Sequence, residues 1–105
     1  MDRSLVVAAA VWAGLGVALG AFGAHGLQQR IPAERLAIFE IGVRYQMYHA
    51  LALFGVAWLS ERLPGSPLVS AAGWLFVAGI VVFSGSLYAL AVTGIRMLGA
   101  ITPLG

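Results

Sequence analysis

The 105-residue chain has no cysteine and no lysine, and its charges are confined to six arginines and four acids. Without cysteine there is no disulfide framework, no thiolate nucleophile and no thiolate metal site, which argues against structural zinc and iron–sulfur chemistry. The net charge of +2 is small, and Arg3, Arg30, Arg35, Arg44, Arg62 and Arg96 are scattered along the chain. No nucleic-acid surface is expected from such a distribution. What is abundant is apolar: 61% of the residues are hydrophobic, 10% are charged and the mean hydropathy is +0.95. A soluble domain has roughly 45–50% apolar and about 25% charged residues. The composition therefore indicates a membrane protein, and apolar runs of helix-spanning length indicate an all-α one. Its length allows a single transmembrane domain, residues 1–105.

Charge-free stretches mark the spans. Residues 5–24 are twenty uncharged positions, the length needed to cross about 30 Å of hydrocarbon at 1.5 Å per residue. Residues 45–60 give sixteen more, short of a full crossing unless Arg44 reaches back to the interface. An amphipathic lead-in over about 33–44 precedes them, with Pro32 in its first turn and Glu34 favoured by the helix dipole. The string RLPGSP is a turn by composition, and residues 68–91 form the third span, closed by Thr93 and Gly94. Thr102 followed by Pro103 has the pattern of a hydroxyl N-cap with proline at the first helical position. The expectation is an antiparallel transmembrane helical bundle with three spans and a fourth opening after Thr102. Gly16 with Gly20, and Gly85 with Ala89, repeat a small-xxx-small spacing that lets helix backbones approach closely, within one bundle or along a homodimer seam.

The polar residues gather on one side. With the N-terminus on side A, three spans place residues 25–44 and 92–100 on the opposite side B. His25 then closes span one at side B. Arg44, Tyr45, Gln46, Tyr48 and His49 open span two there, and Ser84, Ser86 and Tyr88 lie in the same half of span three. At 100° per residue, Glu40, Arg44 and Tyr48 share an arc that Tyr45 and His49 extend to about half the helix circumference. Unpaired polar groups in hydrocarbon cost several kcal/mol, so this belt should face protein, water or headgroups. Tyr45 or His49 is expected to hydrogen-bond to the Ser84–Tyr88 segment, with His25 closing the group. Side A carries Trp58 and Trp74 as interfacial anchors. Four arginines near span ends on side B against two on side A put side B in the cytoplasm and the N-terminus outside.

Four strings in order, GAFGAHGL (20–27), YQMYHALAL (45–53), FSGSLYAL (83–90) and GAITPLG (99–105), make the sequence resemble the "domain of unknown function 423" family, whose eukaryotic relative is transmembrane protein 256. The resemblance covers nearly the whole chain. It implies a small multi-span protein of an inner or organellar membrane, with an apolar span after the last string, and it brings no catalytic residues with it.

The chemistry available to the polar residues is thin. His25 and His49 have the residue type of axial haem ligands, but neither spacing nor flanking residues require a haem, and buried histidines more often satisfy hydrogen bonds. A histidine beside tyrosine and arginine can relay protons. Ser84 and Ser86 sit in FSGSL inside a span, outside the strand–turn–helix setting of a nucleophile elbow, and serines there bond across helices. The favoured function is an accessory, assembly or interaction subunit of a larger membrane complex, not an enzyme and with no cofactor. Its partners would be the lipid bilayer and either another membrane protein or a second copy. A small-solute or proton transport module is the first alternative, although the A half of the spans lacks ionisable residues. The second is binding of a lipid headgroup or quinone at the side B interface through Arg44, Arg96 and the tyrosines.

Overall fold

The structure is a computed structural model that describes residues 3–105. Among these residues every regular element is helical. α1 spans Arg3–His25 and is followed by a 3-10 turn, Leu27–Gln29. α2 is one uninterrupted 30-residue helix, Ala33–Arg62, so the lead-in and the second span are a single rod. The third rod is built of α3 (Pro67–Gly79), a π-helical turn (Ile80–Ser84) and α4 (Gly85–Thr93). A short α5, Leu98–Ile101, tightens into a final 3-10 turn, Thr102–Leu104.

The boundaries follow local chemistry. Pro32 is the N-cap of α2 and not part of its first turn: its extended backbone (φ −61°, ψ 152°) leaves its carbonyl free to accept from Arg35 and Leu36. Between α2 and α3, Gly65 takes φ +77°, the Ser66 hydroxyl accepts from the Val69 amide, and Pro67 stands at the first helical position. Gly94 ends α4 in the left-handed region at φ +73°, its amide bonded to the Leu90 carbonyl.

Two rods, Arg3–Gln29 and Pro67–Thr93, are long and apolar enough to cross a membrane. α2 has the length but is less apolar, because Glu34, Arg35, Glu40 and Arg44 occupy its first turns. The three rods are antiparallel neighbours with α2 in the middle. At one end Leu5 and Ala9 of α1 pack with Leu53, Val56 and Ala57 of α2, and Val69 and Ala72 of α3 close on them. At the other end Leu27, Phe39 and Ala91 meet, with Leu36 and Tyr88 beside them. Trp58 and Trp74 are exposed at the first end, as expected of anchors, and the Arg62 guanidinium lies over the Trp58 ring at 4.9 Å. In lipid the apolar effect does not draw helices together, so close packing and polar contacts must.

Small residues set the α1–α2 spacing. A side chain on Gly16 would reach to 2.5 Å from Met47 Sδ, one on Gly20 to 3.4 Å from Val43, and one on Gly23 to 3.0 Å from Phe39. The Gly16–Gly20 pair is thus a seam inside the bundle. Gly85 and Ala89 differ from expectation: Gly85 is exposed with open space around it, and Ala89 is half-buried. The inward face at this level runs through Ser84, Leu87 and Ala91, and Gly85 points away from it.

The last segment corrects the capping expectation. The helix starts at Leu98, four residues before Thr102, and Thr102 is helical (φ −51°, ψ −46°) with its hydroxyl turned back to the Leu98 carbonyl at 3.3 Å. Pro103, which has no N–H to donate, coincides with the change from α to 3-10 pitch instead of with a helix start.

Candidate functional site

The polar belt divides when it is placed on the folded α2. Phe39, Gly42, Gln46, Ala50, Leu53 and Ala57 form the inward face, at helical spacing, and all are buried. Glu40, Arg44, Tyr45 and Tyr48 are exposed. Only Gln46 of the polar residues in this stretch is fully enclosed, with 0% of its surface accessible.

Gln46 ties the three rods together. Its Nε2 donates to the Trp12 carbonyl of α1 at 2.8 Å, and its Oε1 accepts from the Tyr88 hydroxyl of α4 at 2.5 Å. A carbonyl can only accept, so the amide nitrogen must face Trp12 and the oxygen must face the phenol. Two glycines give access. Gly16 lets α1 come close enough for the amide to reach a backbone carbonyl that is already within a helix. Gly42, one turn before Gln46, leaves room for the Tyr88 ring, which would stand 2.7 Å from a Cβ there. That ring also packs on Phe39, at 4.9 Å between centroids.

The serines complete the network. Ser84, 2% exposed at the end of the π-helical turn, donates to the Gly42 carbonyl at 2.7 Å. Ser86 donates to the Phe83 carbonyl of its own rod at 2.9 Å, and its hydroxyl shares a hydrogen bond of 2.6 Å with that of Thr102. Thus α1, α2, the third rod and the terminal helical segment are joined by neutral side chains at adjoining levels.

The hydrogen bond expected from Tyr45 or His49 to the Ser84–Tyr88 segment is made by neither; Gln46, between them, bonds to Tyr88 instead. His49 Nδ1 carries a proton and donates it to the Tyr45 carbonyl of its own helix at 2.6 Å, while its ring lies edge-on to Phe76 at 5.7 Å. Tyr45 packs its ring on Phe83 at 5.0 Å and on Tyr48 at 5.5 Å. His25 is exposed at the end of α1 and does not close the group. The antiparallel register explains this. Gly23 faces Phe39, so His25 lies level with the first turns of α2, and His49, ten residues beyond Phe39, is about 15 Å further along the helix. The two histidines do not face a common space for a haem. Among the described residues no group of three or more His, Cys, Asp or Glu could hold a metal ion.

Two participants were not expected: the Trp12 carbonyl and Gly42. Gly42 had a signal in the sequence, since it precedes Gln46 by four residues and both lie on the stripe of small and apolar positions that continues to Ala50, Leu53 and Ala57. Trp12 contributes only its backbone, which no residue pattern marks. Beside the node, a shallow slot of about 210 Å³ opens between α1 and the third rod, walled by Leu15, Leu19, Ile80 and Val81. Its lining is almost wholly apolar because the polar atoms of Gln46 and Ser84 are sealed beneath it. The node offers hydrogen bonding and no paired nucleophile and base.

Comparison with known proteins agrees with the membrane character. The UPF0382 membrane protein YwdK of Bacillus subtilis is 58% identical over 103 residues, 98% of this chain and 84% of that protein. UPF0382 membrane proteins of Staphylococcus saprophyticus and Staphylococcus haemolyticus are 47% and 46% identical over the same length, again 98% of this chain and 84% and 83% of theirs. No solved structure matches. A family profile described as "Protein of unknown function (DUF423)" matches residues 19–105, and the chain belongs to that family of small membrane proteins.

Proposed function

We propose that the protein is a non-catalytic accessory or interaction subunit of a larger assembly in the cell's inner (plasma) membrane, with its N-terminus outside the cytoplasm. One observation carries this proposal: the buried polar side chains are engaged with one another and with backbone carbonyls inside the bundle, through Gln46, Ser84 and Tyr88. Chemistry on a substrate would need some of these groups free. Recognition capacity remains on the outer face of α2, where Arg44, Tyr45 and Tyr48 are exposed and the two tyrosine rings meet edge to face. Tyrosine and arginine are enriched at protein interfaces, because large amphipathic side chains give contact area and a polar tip together. The partner is another membrane protein or a second copy of the chain.

A photo-crosslinking amino acid placed at Tyr48, in cells expressing the chain at native level, tests the proposal. A discrete protein adduct is expected at position 48 and not at the buried position 50. Adducts to lipid alone at position 48 would contradict it. Orientation is tested separately by reporter fusions to the N-terminus: activity of a reporter that works only in the cytoplasm would reverse the assignment.

A further inference from the structure

At the end of the bundle opposite Trp58 and Trp74, the start of α2 and the end of α4 enclose a cleft of about 460 Å³. Ile38 and Leu90 form an apolar wall, and Glu34, Arg35, Thr93 and Arg96 line the rest. Two guanidinium groups against one carboxylate leave the cleft with a net positive charge. Arg35 is half-buried, and its Nη1 lies 2.8 Å from where a Cβ on Gly94 would stand. Glycine at the left-handed end of α4 therefore seats this guanidinium close against the turn, where any side chain would displace it. Arg96, two residues further on and exposed, also lines the cleft. The positive end of the 30-residue α2 opens into the same space, its first amides beyond Pro32 having no acceptor within the helix.

We propose that this cleft binds a phosphate-ester anion, with Arg35 and Arg96 as its two guanidinium donors. The planar fork of arginine matches two phosphate oxygens at once, and the apolar wall suits the glycerol or acyl portion of the ester. Thr93 orients the cleft's floor: its hydroxyl donates to the Ala89 carbonyl and accepts from the Ile95 amide, which fixes the turn that carries Arg96. The same chemistry is presented by the headgroup of an anionic phospholipid and by a soluble phosphate ester. The site is distinct from the Gln46 node and from the exposed tyrosines of the proposed interface, so it stands or falls independently of them.

The test uses the full chain in nanodiscs of phosphatidylcholine containing phosphatidylglycerol, released into a native mass spectrometer, with glycerol 3-phosphate added in a parallel series. The wild-type chain should retain phosphatidylglycerol in preference to phosphatidylcholine, or, if the natural ligand is soluble, should bind glycerol 3-phosphate without that lipid preference. R35Q and R96Q should each weaken retention roughly fivefold, and R35Q/R96Q should remove the preference. R62Q, which loses the same charge at the other end of the bundle, should leave it unchanged. Should the glutamine variants fail to fold by circular dichroism, R35K/R96K and a salt series on the wild type decide: the lysine variant, which keeps the charge but loses the fork, should keep a reduced preference, and rising salt should reduce it further. The proposal is overturned if the wild type prefers neither anion, if R35Q/R96Q folds and retains as much as the wild type, or if salt has no effect.

Discussion

Replacing Gln46 with leucine removes both bonds of the node at nearly constant volume, so the cost reports on the bonds more than on a cavity. Polar pairs between transmembrane helices contribute about 0.6 kcal/mol on average and at most about 1.7 kcal/mol. Two such bonds, to the Trp12 carbonyl and from the Tyr88 hydroxyl, should together contribute about 1–3 kcal/mol. Tyr88→Phe removes only the second bond and leaves the ring against Gly42 and Phe39. A double-mutant cycle over these two positions, with unfolding followed in bicelles by steric trapping, should give a coupling of about 0.6–1.7 kcal/mol. Additivity within about 0.3 kcal/mol would refute the bond. His49→Ala is the comparison, since its hydrogen bond stays within α2 and only the Phe76 ring contact crosses helices. It should cost less than Gln46→Leu, about 0.5–1 kcal/mol. The reverse order would place the tie on the wrong residue.

Gly42→Ala should cost about 1–3 kcal/mol, because the new methyl meets the Tyr88 ring at 2.7 Å and that ring is held by Gln46, leaving it little room to yield. Gly16→Ala should cost less in the same unfolding assay, since the obstructing atom is the sulfur of a flexible methionine. Gly85→Ala should be neutral or stabilising by up to about 1 kcal/mol, as the position is helical, exposed and open. A large loss there would show that this face of the third rod is covered. Ser84→Ala should cost about 0.6 kcal/mol through the lost bond to Gly42, with helix content by circular dichroism unchanged.

Much of the architecture was legible because the constraints are local. Charge-free length located α1 and the third rod to within a few residues, and the turn between α2 and α3 announced itself through Pro64, Gly65, Ser66 and Pro67. The small-xxx-small spacing at Gly16 and Gly20 falls where α1 lies close to Met47 and Val43 of α2. What the sequence concealed was rotation and register. Tyr45, Gln46 and His49 are all polar within five positions, and the arc through Glu40, Arg44 and Tyr48 on a helical wheel extends to Tyr45 and His49. The stripe of buried positions selects Gln46 instead, since it shares a face with Gly42 and Ala50. The place of His25 at the end of α1 suggests membership of the polar group, but the pairing of Gly23 with Phe39 puts that end level with the first turns of α2. The π-helical turn at Ile80–Ser84 has no composition signal of its own, yet Ser84 at its end makes the bond to Gly42. Thr102–Pro103 carries a helix-start pattern, but in the folded chain the Thr102 hydroxyl donates to Ser86, whose own proton goes to the Phe83 carbonyl.

Gln46 holds α1 through the Trp12 carbonyl. Solid-state NMR in lipid bilayers measures this contact with glutamine labelled at ¹⁵Nε2 and tryptophan at ¹³C′, because Gln28, Gln29 and Gln46 are the only three glutamines in the chain. An Nε2···O distance of 2.8 Å places the nitrogen within about 4 Å of the carbonyl carbon, so one of the three glutamine signals should dephase strongly and should vanish in Gln46→Leu. Three glutamine signals with no dephasing, in a sample whose helices are intact, would contradict the claim.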